Sequence, residues 1–100
     1  MDKELLKISK FDAADYLKTH ADMEEYLDEV SSENDPQAFL QAINTIARAK
    51  GMAKLSRDTG IPRESLYQSL SEKGNPGFHT LWKVADALGY SLVMKKKTAA

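Results

Sequence analysis

Arg63, Glu64, Tyr67 and Gln68 are four long polar side chains falling within a six-residue span, and together their chemistry suits one task well. A guanidinium donates parallel N–H bonds, a carboxamide both donates and accepts, a carboxylate accepts, and a phenol does either beside a flat apolar ring. These are complements of base edges in a DNA major groove. Arg63 matches guanine O6 and N7, Gln68 matches adenine, Glu64 matches the cytosine amino group, and Tyr67 matches an acceptor or a thymine methyl. Pro62, Ser65, Ser69, Lys73 and Asn75 flank them. Hydroxyl, ammonium and amide groups, with the backbone N–H groups of a helix starting at Pro62, suit phosphate oxygens.

Such side chains read bases only if a helix presents them on one face. The stretch MAKLSRDTGIPRESLYQSL, residues 52–70, has the spacing of two short helices joined by a sharp turn. Leu55 falls on the inner face of the first, Gly60 sits where the chain needs a positive φ, and Ile61 fills the corner. Pro62 opens the second helix, whose inner face carries Leu66 and Leu70. That is the pattern of a helix-turn-helix. Downstream, Gly74, Asn75 and Pro76 form a loop, and a closing helix carries a stripe of Leu81, Trp82, Ala85 and Leu88 before Gly89 ends it. Phe78 and Trp82 are expected in the core beside Leu55, Ile61, Leu66 and Leu70.

The first half has a different character. Asp12 is a cap for a helix to about Lys18, with Asp15 at its third position and Phe11 stapled against Tyr16. Asp22 is the expected cap of the next helix, where Met23, Tyr26, Leu27 and Val30 make one apolar stripe. Ser31 to Asp35 reads as a linker, with Asp35 capping a third helix that begins at Pro36. Phe39, Leu40, Ile43, Ile46 and Ala47 face inward there, and Gly51 closes it. The apolar runs Leu5 to Ile8 and Tyr90 to Met94 read as short strands or as helix extensions.

Charge separates the halves. Residues 1–50 hold eleven acids and six bases, while residues 51–100 hold four acids and eight bases, so a net charge of −1 conceals −5 against +4. Asp22, Glu24, Glu25, Asp28, Glu29, Glu33 and Asp35 follow one another with no Lys or Arg between them. Such a run is either a solvated helix face or a docking face for a basic protein.

Several function classes are disfavoured. With 100 residues and no cysteine there is room for one domain, no disulfide, no thiolate nucleophile and few ways to build a zinc site. His20 and His79 lie in different halves, neither at metal-ligand spacing, and no nucleophile elbow appears. No enzyme, metal or cofactor is expected. No signal peptide or membrane span is apparent, which makes the cytoplasm the expected compartment, with association to the nucleoid.

Residues 73–93, KGNPGFHTLWKVADALGYSLV, resemble the loop and closing helix of the Cro and phage-repressor (XRE-type) family. The runs FDAADYLKTHADMEEYLDEV and DPQAFLQAINTIARAKGMAKLSRDTG resemble the addiction-module antidote proteins, small antitoxins with a C-terminal helix-turn-helix, so that the likeness covers residues 11–93. It implies a mainly all-α, five-helix domain with a lambda-repressor-like helix-turn-helix. Residues 1–50 would be an acidic toxin-binding region, with Glu24, Glu25, Asp28 and Glu29 facing the toxin. Residues 51–94 would bind DNA and residues 95–100 would form a tail, all within a single compact domain. The implied function is that of a type II antitoxin, which neutralises a RelE-superfamily toxin and represses its own operon as a homodimer on a palindromic operator. A free-standing XRE-type repressor is the alternative. The family's base-reading helix varies in sequence, so a role transfers to Arg63, Glu64, Tyr67 and Gln68 without a base preference.

Overall fold

The computed structural model describes residues 19–97, and five helices are found among them: α1 (His20–Ser31), α2 (Pro36–Lys50), α3 (Met52–Thr59), α4 (Arg63–Ser69) and α5 (Phe78–Ala87). The described residues form an all-helical domain. The run Leu5 to Ile8 and the helix expected from Asp12 lie outside the described residues.

α1 starts one turn earlier than the sequence suggests. Thr19, not Asp22, is its N-cap: the Thr19 hydroxyl accepts from the Asp22 N–H at 3.0 Å, and the Asp22 carboxylate accepts from the Thr19 N–H at 3.2 Å. This reciprocal capping box satisfies two donors, whereas a cap at Asp22 alone would satisfy fewer. Met23 and Val30 are buried, with Tyr26 and Leu27 packed beside the core. The chain then turns through Ser32 to Asn34, with Asn34 at φ 56°, a conformation asparagine tolerates better than most residues. Asp35 caps α2 as expected, accepting from the N–H groups of Gln37 and Ala38 with Pro36 at the first position.

α2 carries the long wall of the core. Leu40, Ile43, Ile46 and Ala47 recur with helical period, and Ala42 and Thr45 are buried as well. Thr45 keeps its hydroxyl satisfied by donating to the Gln41 carbonyl at 2.9 Å. α1 packs on α2, α2 on α3, and α3 on both α4 and α5, so α3 is the hub. One cluster joins the two halves: Met23, Leu40 and Ile46 from the first meet Leu55, Leu66, Leu70, Val84 and Leu88 from the second.

Two expectations fail at the C-terminal end. Phe78 is 66% and Trp82 50% exposed, so neither is core. The buried stripe of α5 is Leu81, Val84, Ala85 and Leu88, at i, i+3, i+4 and i+7, and Trp82 lies about 100° round the helix from Leu81. Phe78, one turn before Trp82, joins it on the outside, with ring centroids 5.7 Å apart. The run Tyr90 to Met94 forms no strand, and no strand occurs among the described residues. It is irregular chain, with Val93 70% and Met94 fully exposed and no strand among the described residues to pair with.

Candidate nucleic-acid and partner-binding faces

The turn between α3 and α4 is held by side chains as well as by backbone. Gly60 sits in the left-handed region at φ 77°, where a Cβ is strained. The Ser56 hydroxyl donates to the Ile61 carbonyl at 2.6 Å. Thr59 donates to the Leu55 carbonyl at 2.8 Å and accepts from the Ile61 N–H at 3.2 Å. Pro62 is the N-cap of α4 rather than its first residue, and α4 begins at Arg63 without a side-chain cap. Leu66 and the C-cap residue Leu70 are completely buried.

That anchoring turns the other face of α4 outward. Arg63, Glu64, Tyr67 and Gln68 are all exposed, with Ser65 and Pro62 exposed next to them and Ser69 half-buried. The structure therefore brings the four expected base-reading side chains onto one surface. None of the four side chains makes a hydrogen bond or ion pair among the described residues. Lys73 and Asn75 are exposed on the following loop. Gly74 between them is obligatory, because a Cβ there would overlap the backbone carbonyls of Ser69 and Gln68. The Gly74 N–H also donates to the Ser71 carbonyl at 2.8 Å, which fixes the loop against the end of α4.

A positioning pair escaped the sequence reading. Asn44 on α2 donates to the Leu70 carbonyl at 2.7 Å, and the Arg48 Nε donates to the Asn44 Oδ1, also at 2.7 Å. The buried carbonyl at the end of α4 thus gains a partner on the neighbouring helix, and Arg48 fixes which way the Asn44 amide points. An i, i+4 pair of polar residues on a helix otherwise read for its apolar stripe gives little signal in advance.

The acidic run divides by role once the caps are known. Asp22 and Asp35 are engaged in helix caps, whereas Glu24, Glu25, Asp28 and Glu29 are exposed along α1. No Lys or Arg occurs from residue 19 to residue 47, so α1 itself carries no cation beside these four. Lys50, the last residue of α2, donates to the Leu88 carbonyl, and its ammonium lies 5.4 Å from the Tyr90 ring centroid. The Tyr90 hydroxyl is buried without a hydrogen-bond partner among the described residues. Burial, and secondarily the charge of Glu24, raises its pKa above the ordinary 10.0.

His20 and His79 are both exposed and far apart in sequence, and His79 meets the Phe78 ring edge-on at 5.9 Å. Among the described residues no group of His, Asp or Glu gathers to hold a metal ion, and no helix is long and apolar enough to cross a membrane.

A helical domain with a polar face turned out on one helix and an acidic face on another is the build of a binding module. The family model for probable addiction module antidote proteins matches residues 7–96, nearly the whole chain, and the protein belongs to that family. Proteins of this family are regulatory or binding proteins, not enzymes, and the family implies a toxin as partner. An uncharacterized protein of Haemophilus influenzae (strain ATCC 51907 / DSM 11121 / KW20 / Rd) is 37% identical over 94 residues, covering 94% of this chain and 97% of that relative. No solved structure matches the chain.

Proposed function

We propose that this protein is the antitoxin of a type II module: it neutralises a RelE-superfamily toxin through its acidic N-terminal half and represses their shared operon through α3, the Gly60 turn and α4 acting as an XRE-type helix-turn-helix. The observation that carries the DNA-binding part is the state of α4. Leu66 and the C-cap Leu70 are fully buried and the turn before the helix is locked, while Arg63, Glu64, Tyr67 and Gln68 stand exposed together without side-chain partners among the described residues. A helix held this way presents a fixed pattern of donors and acceptors to a major groove.

Phosphates are contacted by Ser65, Ser69, Lys73 and Asn75 and by backbone at Pro62. Residues 62–77 carry Arg63 and Lys73 against Glu64 and Glu72, a balanced set, so unspecific attraction through this segment is weak. Specificity then requires two copies, as a homodimer on a palindromic operator with half-sites about 34 Å apart. The exposed Phe78 and Trp82 pair on α5 supports such an association, because large aromatic side chains left outside a core favour interfaces.

Operator binding by the purified protein, measured on a fragment of its own promoter, tests this reading. Saturable binding that survives competitor DNA and is lost in an Arg63→Ala, Gln68→Ala double variant is expected. Equal affinity for the promoter and for unrelated DNA would remove the repressor role. The antitoxin part is tested by co-expression with the product of the adjoining reading frame, which should be toxic alone and harmless together with this protein.

A further inference from the structure

A groove of about 440 Å³ runs between α1, α2 and the chain that follows α5. Its apolar lining includes Phe39 and Ile43 of α2, Leu27 of α1 and Leu92 after α5. Along its mouth stand Asp28, Ser31, Val93 and Lys95, all exposed. The volume lies in the range of clefts that hold ligands, and the lining is that of a socket for apolar side chains.

The groove is continuous with part of the acidic face, and only with part. Along α1, Glu24, Asp28 and Ser31 follow at i, i+4 and i+7, one row beside the Leu27 edge. Asp28 and Ser31 belong to the groove mouth, and Glu24 is close enough to Tyr90, another lining residue, for its charge to act on the phenol. Glu25 and Glu29 form a second row about 100° further round, away from the groove. Equal numbers of carboxylates therefore border the socket and face away from it.

We infer that this groove, with the Glu24 and Asp28 row at its edge, is the anchor site for a basic amphipathic segment of the toxin, whose apolar side chains enter between Leu27, Phe39 and Leu92 while its cations pair with Glu24 and Asp28. The inference rests on the antitoxin reading and deepens it by placing the contact. Charge complementarity selects the occupant: the Glu24 and Asp28 carboxylates outnumber the one lysine at the mouth, Lys95, so the apolar socket they edge fits a segment with cations flanking apolar residues, and a second copy of this chain would bring its own acidic row against the first. The apolar contacts set how long the complex lasts and the carboxylates set how fast it forms.

The test uses the full chain and, as probe, the purified product of the adjoining reading frame. Two double reversals with the same change in charge are compared, Glu24→Lys with Asp28→Lys and Glu25→Lys with Glu29→Lys. The first pair should weaken binding at least about tenfold more than the second. Val93→Glu changes a residue that is 70% exposed, so folding should be spared. It should speed dissociation about tenfold, because an apolar contact at the mouth of the socket is lost. Equal effects of the two double reversals, with wild-type dissociation in Val93→Glu, would overturn the groove while leaving the antitoxin reading intact. Absence of binding by the wild-type protein would overturn both. Binding that depends on self-association, shown by an affinity that falls on dilution and by a Val93→Glu protein that sediments as a smaller species, would assign the groove to a second copy instead.

Discussion

The two halves of this molecule finish their helices in opposite ways. In residues 19–47 the helix starts are closed by side chains, Thr19 with Asp22 and Asp35 alone, and the carboxylates not used in caps point outward with no cation among them. In residues 51–97 none of α3, α4 and α5 has a side-chain cap at its start, and the turn before α4 is set by Gly60, Ser56 and Thr59. A capped start has its first N–H groups satisfied from within, whereas an uncapped start leaves them for an outside acceptor such as a phosphate. The comparison teaches that the two halves differ in how they distribute their caps as well as their charges.

The halves nevertheless share one core, and the largest expected effect tests that. Leu66→Ala should cost about 2–5 kcal/mol, because Leu66 is completely buried where α4 meets the joint cluster. Urea unfolding should show a single transition at a lower midpoint, by helix signal and by Trp82 fluorescence alike. Two separate transitions would mean that the acidic half folds without its partner, and the comparison would become one of two domains.

Next in size is the separation of partners by charge. Reversing Glu24, Glu25, Asp28 and Glu29 together to lysine should slow toxin association by about 100-fold at low salt and abolish rescue of toxin-expressing cells. Operator affinity and helix content should stay near wild type. If operator binding changes as much as toxin binding, the two faces are not independent.

The operator side gives smaller and more specific effects. Arg63→Ala should cost about 1–3 kcal/mol at one operator position and relax its sequence preference. Lys73→Ala should weaken all sequences nearly alike and flatten the salt dependence. Asn44→Ala should weaken operator binding without contacting DNA, since Asn44 holds the Leu70 carbonyl at the end of α4. A titration of each variant against wild-type and single-base-changed operators distinguishes these patterns.

How far the sequence foretold this arrangement depended on which signal each residue carries. The stripe of Met23, Tyr26, Leu27 and Val30, the Asp35 and Pro36 start, and the positive φ at Gly60 were legible because each follows from local geometry alone. Thr19 was passed over for Asp22 because both are good caps three residues apart, and only the reciprocal bond decides between them. Phe78 and Trp82 were misplaced because apolar residues cover most of the circumference of α5, and composition cannot say which sector meets α3. The exposed cluster on α4 was legible as a face, whereas Asn44 was not, since its partner is the Leu70 carbonyl, 26 positions further along the chain.

A smaller effect measures the capping difference itself. Asp35→Ala should cost about 1 kcal/mol, the usual loss when a side-chain cap is removed. Substitutions at Gly77, which caps α5 with backbone alone, have no cap bond to lose. Thermal unfolding of the two variants Asp35→Ala and Gly77→Ala should therefore differ in the direction that favours the second, because nothing lies within reach of a Cβ at Gly77.

The smallest effect lies at the seam, where the halves influence each other through Tyr90. Its hydroxyl belongs to the C-terminal half, and the two causes that raise its pKa above 10.0 are burial and then Glu24 of the N-terminal half. A group whose folded pKa is raised adds stability that is fully present below its unfolded pKa and is lost as pH rises through the folded value. Stability should therefore be insensitive to this residue up to about pH 10 and fall above it, with Tyr90→Phe removing that part of the alkaline slope. In an ultraviolet titration the Tyr90 step, identified by difference from Tyr90→Phe, should come above the ordinary 10.0. Glu24→Gln should move it only part of the way back, because burial is the larger cause. A full return on removing Glu24 would make the coupling between the halves electrostatic, and no return at all would leave them joined through packing alone.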